Sequence, residues 1–152
     1  MMTSKKIIIE SLQWLSENKR THIHGFVVMP NHVHILWTIL TEKPQHPETT
    51  FVSYTAHQFK AHLLKTDQHS TLQQFVSSQN DRDYHFWERR SLSKPIVSRE
   101  MAFQKLEYIH LNPVRDKWDL AKNPEDYFYS SAAYYQNGDN NFPFLVHLHG
   151  YI

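Results

Sequence analysis

Apolar residues recur along this chain with two different periods. Ile8, Leu12 and Leu15 follow helical spacing, so Ser4 to Asn18 is expected to form an amphipathic helix with Ser4 as its N-cap. Ile23 to Met29 and His32 to Leu40 are rich in β-formers and flank Pro30-Asn31, which predicts two strands joined by a tight turn. Thr41 to Glu48 contains Pro44 and Pro47 and is expected to be a loop. Phe51 to Lys65 predicts a helix with Phe51, Tyr54, Gln58, Phe59 and His62 or Leu63 on related faces. A short helix at Leu72 to Ser77, a polar mobile stretch at Gln79 to Tyr84 and a short strand from His85 to about Arg90 are expected next. Ser98 can cap a helix running to about Leu111, which Pro113 ends by disfavouring helix at Asn112. Pro124 to Tyr127 and Ser130-Ser131 read as turns and short helical pieces, and the tail Phe142 to Ile152 is apolar without a clear period. Neither an internal repeat nor a dividing linker is visible. The expected organisation is one domain over residues 1–152, with a core at about 7–135 and a tail at 136–152.

Composition narrows the function classes. A chain of 152 residues with 40% apolar and 14% aromatic content is long enough to fold around its own core. The absence of cysteine excludes disulfides and thiolate metal sites and fits a cytoplasmic setting. No signal-peptide pattern is visible, and no apolar run approaches the roughly 20 residues that cross a bilayer, so no membrane partner is expected. Net charge is +1, so any nucleic-acid contact must come from local patches. Arg89, Arg90, Lys94, Arg99, Lys105, Arg115 and Lys117 are candidates for phosphate contacts, and Trp87 and Trp118 for base stacking.

The first candidate for chemistry is His32-Val33-His34. Residues two apart on a strand point to one face, so the two imidazoles would project together and could share a divalent metal if a third ligand arrives from elsewhere. The chain holds 12 histidines. His22/His24 and His147/His149 have the same spacing, so spacing alone does not single out a pair. Position favours the middle pair, which follows a tight turn and opens an apolar strand that would back it rigidly. His22/His24 is expected at the surface or as support, and His147/His149 facing solvent.

The second candidate is Tyr108. On the helix ending near Leu111, Ala102, Phe103, Leu106 and Ile109 share one stripe that should face the core. Tyr108 lies nearly opposite, with Asn112 one turn ahead and Lys105 nearby. A tyrosine in that place is either a surface aromatic or a nucleophile held toward a metal-bound phosphate. Phenols attack poorly at their usual pKa near 10, so the second role needs a polarised phosphate and in-line positioning. The Asn112 amide oxygen could be the third metal ligand, with Glu107 and His110 as substitutes. The Lys105 ammonium could lower the phenol pKa or touch a phosphate.

Three segments together resemble a known family. They are Phe26-Val27-Val28-Met29-Pro30-Asn31-His32-Val33-His34-Ile35-Leu36, Tyr108-Ile109-His110-Leu111-Asn112-Pro113-Val114-Arg115, and Pro124-Glu125-Asp126-Tyr127 with Ser130-Ser131. In this order the chain is similar to the single-tyrosine HUH transposases, particularly the REP-associated tyrosine transposases and their insertion-sequence relatives. Phe86-Trp87-Glu88 is similar to the family's short aromatic strand, and the likeness spans roughly residues 7 to 135. The resemblance implies an α+β ferredoxin-like sandwich, an antiparallel sheet with helices on one or both faces. It implies His32, His34 and Asn112 as ligands of Mg²⁺ or Mn²⁺. Tyr108 would attack single-stranded DNA next to a hairpin, forming a 5′-phosphotyrosine link and a free 3′-OH. A homodimer is a further candidate assembly.

Two features depart from the family pattern. Only Met1 to Lys6 precede the apolar positions of the first helix, where relatives carry a β-strand that would lie centrally beside the histidine strand. An upstream segment, a partner chain or the tail Phe142 to Ile152 could supply that strand. Asp116-Lys117-Trp118 stands where relatives favour small residues. Two other functions stay open: a non-catalytic binder of DNA hairpins, and a metal-dependent phosphoesterase that uses metal-bound water and leaves Tyr108 structural.

Overall fold

Two amphipathic periods become one antiparallel hairpin with helices packed on it. The structure, a computed structural model, describes residues 4–65, 93–115 and 117–151. Helix α1 is Ser4–Glu17, strand β1 is Thr21–Val28, strand β2 is Val33–Ile39 and helix α2 is Pro47–Lys65. Helix α3, Arg99–Leu111, is followed by a 3₁₀ turn at Asn112–Val114, and α4 is Ala132–Asn137. Among the described residues the sheet has two strands, β1 and β2, so the fold is α+β. No helix among these residues is long and apolar enough to cross a membrane.

A single extra residue sets which side chains face which layer. Val28 pairs with Val33, Phe26 with Ile35 and Gly25 with Leu36, but Ile23 pairs with Trp37, leaving His24 as a β-bulge. Strict alternation would put Ile23 on the face of Val27. The bulge turns it to the opposite face, where it is buried with Phe26 and Val28 against Ile8, Leu12 and Leu15 of α1 and Phe51 of α2. The other face carries Val27 and Leu36 against Ala102, Leu106 and Ile109 of α3. Helices thus cover both faces of the hairpin.

The later chain lines the outer edge of β1. Val28 N–H donates to the Tyr129 carbonyl at 2.9 Å, Ser131 N–H to that of Phe26 at 3.0 Å and Val146 N–H to that of Ile23 at 2.9 Å. The tail therefore lies along β1. It does not fill a place beside the histidine strand β2, which was one expectation for it. Its Phe142, Leu145 and Leu148 are buried at a spacing of three, a pattern too short to stand out as a period. Tyr135 ties the tail down: its hydroxyl donates to the His24 carbonyl at 2.7 Å and accepts the Leu148 N–H at 3.0 Å.

Helix α3 approaches β1 closely at Gly25. A Cβ there would run into the Leu106 side chain and lie 3.2 Å from Ser131 Oγ, so a larger residue would require Leu106 to shift. Next to it His110, on the core side of α3, pairs through Nε2 with Ser131 Oγ at 2.7 Å, and Ser131 Oγ accepts the Phe26 N–H at 3.0 Å. Ser98 caps the helix as expected, accepting the Met101 N–H at 3.1 Å. Its end differs from expectation. Asn112 keeps helical angles (φ −52, ψ −48) despite the proline that follows. Pro113 lacks an N–H, so the α-ladder stops, and the chain tightens into a 3₁₀ turn instead of leaving the helix.

Other boundaries moved as well. Helix α2 begins at Pro47, inside the expected loop, because proline suits a first helical turn. Its buried positions are Pro47, Phe51 and Thr55, whereas Tyr54 is exposed. The expected helix at Leu72 to Ser77, the polar stretch Gln79 to Tyr84 and the strand from His85 to Arg90, with Trp87, Arg89 and Arg90, lie outside the described residues.

Two stability predictions follow from this packing. Gly25→Ala should destabilise by about 1–3 kcal/mol through overpacking, read as a lower denaturation midpoint with an unchanged slope. Burial holds the His110 imidazole down from 6.5 to about 4. Burial is also the main reason that His24 lies below its ordinary value. The unfolded chain therefore takes up protons that the native state refuses. Stability should be complete above pH 6.5 and fall as pH drops toward about 4. His110 should account for about 3 kcal/mol of that loss. Urea titrations across this range should show a flatter profile in His110→Gln; an unchanged profile would refute the assignment.

Candidate metal and nucleophile site

The hairpin turn places the histidine pair. Met29 N–H donates to the His32 carbonyl at 2.8 Å, closing the loop that holds Pro30 and Asn31. His34 opposes Val27 and so lies on the α3 side of the sheet. The His32 and His34 rings stand edge to face with centroids 5.0 Å apart. Asn31 Oδ1 lies 2.6 Å from His32 Nδ1 and can only accept, so Nδ1 donates there and Nε2 is the ring nitrogen outside this bond. Sequence reasoning overlooked Asn31. Burial, then the neighbouring His32 and Arg115, hold His34 below the ordinary imidazole range, in the neutral form that ligates metals.

Tyr108 stands over this pair. It is 44% exposed, as expected for a residue opposite the core stripe, and its ring meets that of His34 edge to face at 5.6 Å. The cation beside it is Arg115, whose Cζ lies 4.4 Å from the centre of the Tyr108 ring. That place had been expected of Lys105, which is exposed one turn back on the helix. The 3₁₀ turn brings Arg115 round to the phenol, a fold-back that a straight helical reading does not contain.

Asn112 is buried at the start of that turn, and its amide nitrogen donates to the Tyr108 carbonyl at 3.0 Å. Among the described residues no three His, Cys, Asp or Glu side chains converge on a metal position. Among the described residues, the imidazoles of His32 and His34 are the donors shown beside Tyr108. His110 is removed as a substitute by its bond to Ser131 in the core, and Glu107 is exposed.

The other histidine pairs behave differently. His24 is buried, with Nδ1 on the Val146 carbonyl at 2.9 Å and Nε2 on Thr38 Oγ1 at 2.8 Å, so it is a structural tie and no surface residue. His147 and His149 are exposed, and His147 Nδ1 accepts the His149 N–H. The third sequence segment is structural too. The Tyr127 hydroxyl donates to the Val28 carbonyl at 2.7 Å, while Ser130 and Ser131 lie along β1. Lys117 and Trp118 sit in the turn after Arg115, beside His32, whereas Lys94 and Arg99 are exposed before and at the start of α3.

Comparison of the chain with protein-family models finds no match, and curated proteins and solved structures give none either.

A metal at this place makes a direct prediction. Mn²⁺ titrated into the protein should broaden the His32 and His34 ring resonances first. His34→Ala should abolish the effect, and Asn31→Ala should weaken affinity by about 10- to 100-fold by freeing the His32 tautomer. Equal broadening of all histidines would exclude a specific site.

Proposed function

We propose that this chain is a metal-dependent DNA strand transferase of the single-tyrosine HUH transposase type, acting on single-stranded DNA beside a hairpin. The observation that carries the reading is the approach of the Tyr108 ring to the His34 ring at 5.6 Å, with His32 a further 5.0 Å along. A nucleophile and a ligand pair from distant segments meet on one surface. In this reading the β1–β2 hairpin is part of a ferredoxin-like sandwich.

His32, His34 and Asn112 would hold Mg²⁺ or Mn²⁺, which when bound polarises the scissile phosphate. Tyr108 Oη attacks phosphorus, so an Oη–P bond forms and the bond from phosphorus to the 3′ oxygen breaks. The phenol proton passes to solvent, and the departing 3′ oxygen takes one up to become a hydroxyl. The 5′-phosphotyrosine retains a phosphodiester bond, so a 3′-OH can later attack it, release Tyr108 and rejoin the strand. Arg115 contributes a fixed positive charge beside the phenol, where the phosphate must arrive.

The test is a denaturing gel of labelled single-stranded hairpin DNA incubated with the protein and Mn²⁺. A covalent adduct is expected in the wild type and none in Tyr108→Phe. DNA retention without any adduct would replace this reading with a non-catalytic hairpin binder. Multiple turnover that survives Tyr108→Phe would replace it with a phosphoesterase using metal-bound water.

A further inference from the structure

Beyond Tyr108 and the histidine pair, a row of rings continues to Trp118. The Trp118 indole lies 6.0 Å from the His32 ring, which is 5.0 Å from His34, which is 5.6 Å from Tyr108. One cation stands at each end: Lys117 Nζ is 5.6 Å from the Trp118 ring centre, and Arg115 Cζ is 4.4 Å from that of Tyr108. Among the described residues neither cation has a carboxylate partner. Trp118 is half-buried, packed against the cluster of Val27, Leu36 and Ala102. Its backbone is fixed, with Trp118 N–H donating to the Arg115 carbonyl at 2.9 Å and Leu120 N–H to that of Pro113 at 2.8 Å. A rigid, partly exposed aromatic flanked by cations is the arrangement that seats an unpaired base and its phosphates.

Resting on the single-stranded DNA reading above, we propose that Trp118 is a base-stacking subsite holding one unpaired base a few nucleotides from the phosphate that Tyr108 attacks. Lys117 neutralises the phosphate of the stacked nucleotide, and Arg115 the one at the phenol. The row between them is short and built from rings, so the strand crosses the histidine pair with its bases splayed to one side. The subsite selects unpaired DNA, because a base inside a duplex cannot offer its face to the indole.

The test compares a short oligothymidylate with an abasic strand of the same phosphate count, by fluorescence anisotropy on the full chain. Wild type should bind the oligothymidylate roughly tenfold or more tightly than the abasic strand. Trp118→Leu keeps an apolar anchor for the core but loses the π-face, so the difference should collapse while abasic binding and the melting temperature hold. Trp118→Phe should restore it. A purely structural Trp118 would weaken both strands alike, and that result, or an undiminished preference in Trp118→Leu, overturns the proposal. The two readings fail separately. Adduct formation by Tyr108 with no effect of Trp118→Leu sinks only the subsite. A Trp118-dependent base preference with no adduct sinks only the strand-transfer chemistry.

Discussion

The close seating of α3 on the hairpin is the constraint on which the site depends. Helix α3 carries Tyr108 and leads into Asn112, and the hairpin carries His32 and His34, so the distance between these two elements sets the distance between Tyr108 and the histidine pair. Gly25 permits the approach because a Cβ would collide with Leu106. Burial of Ala102, Leu106 and Ile109 against Val27 and Leu36 drives it. A core helix therefore serves two faces. One is held by dispersion and desolvation, and the other presents Tyr108.

A polar seam reinforces that seating. His110 on α3, Ser131 just before α4 and the Phe26 amide on β1 form one chain of hydrogen bonds at the interface. His24, Thr38, Tyr135 and the tail form a second. Each satisfies buried polar groups that would otherwise cost stability. The histidines consequently divide by environment. Those enclosed at interfaces are kept neutral and structural, while His32 and His34 remain at an accessible edge beside Tyr108.

The hairpin, the helix over residues 99–111 and its core stripe were legible in the sequence, because each rests on a local period or cap. The histidine pair and Tyr108 were legible as residue types in a suggestive order. Their companions were not. Asn31 orients His32 through a side-chain bond that no periodicity encodes. Arg115 reaches the phenol only because Pro113 converts the helix end into a 3₁₀ turn. His110 was legible as a substitute for Asn112 on another face of the helix, since two residues amount to roughly 200° of rotation, but its bond to Ser131 was not.

The sequence by itself determined the local pieces: which segments are helical or extended, which faces are apolar, and that a His-x-His pair points one way. Those follow from backbone geometry and solvent preference within a few residues. Tertiary structure decided which histidine pair meets Tyr108, which cation accompanies it, and where the apolar tail lies. The bulge at His24 shows why, since one unpaired residue reverses which side chains share a face, and pairing between strands alone reveals it. Contacts between distant segments are set by packing and by the few polar groups that must be satisfied inside it, and neither has a period to read.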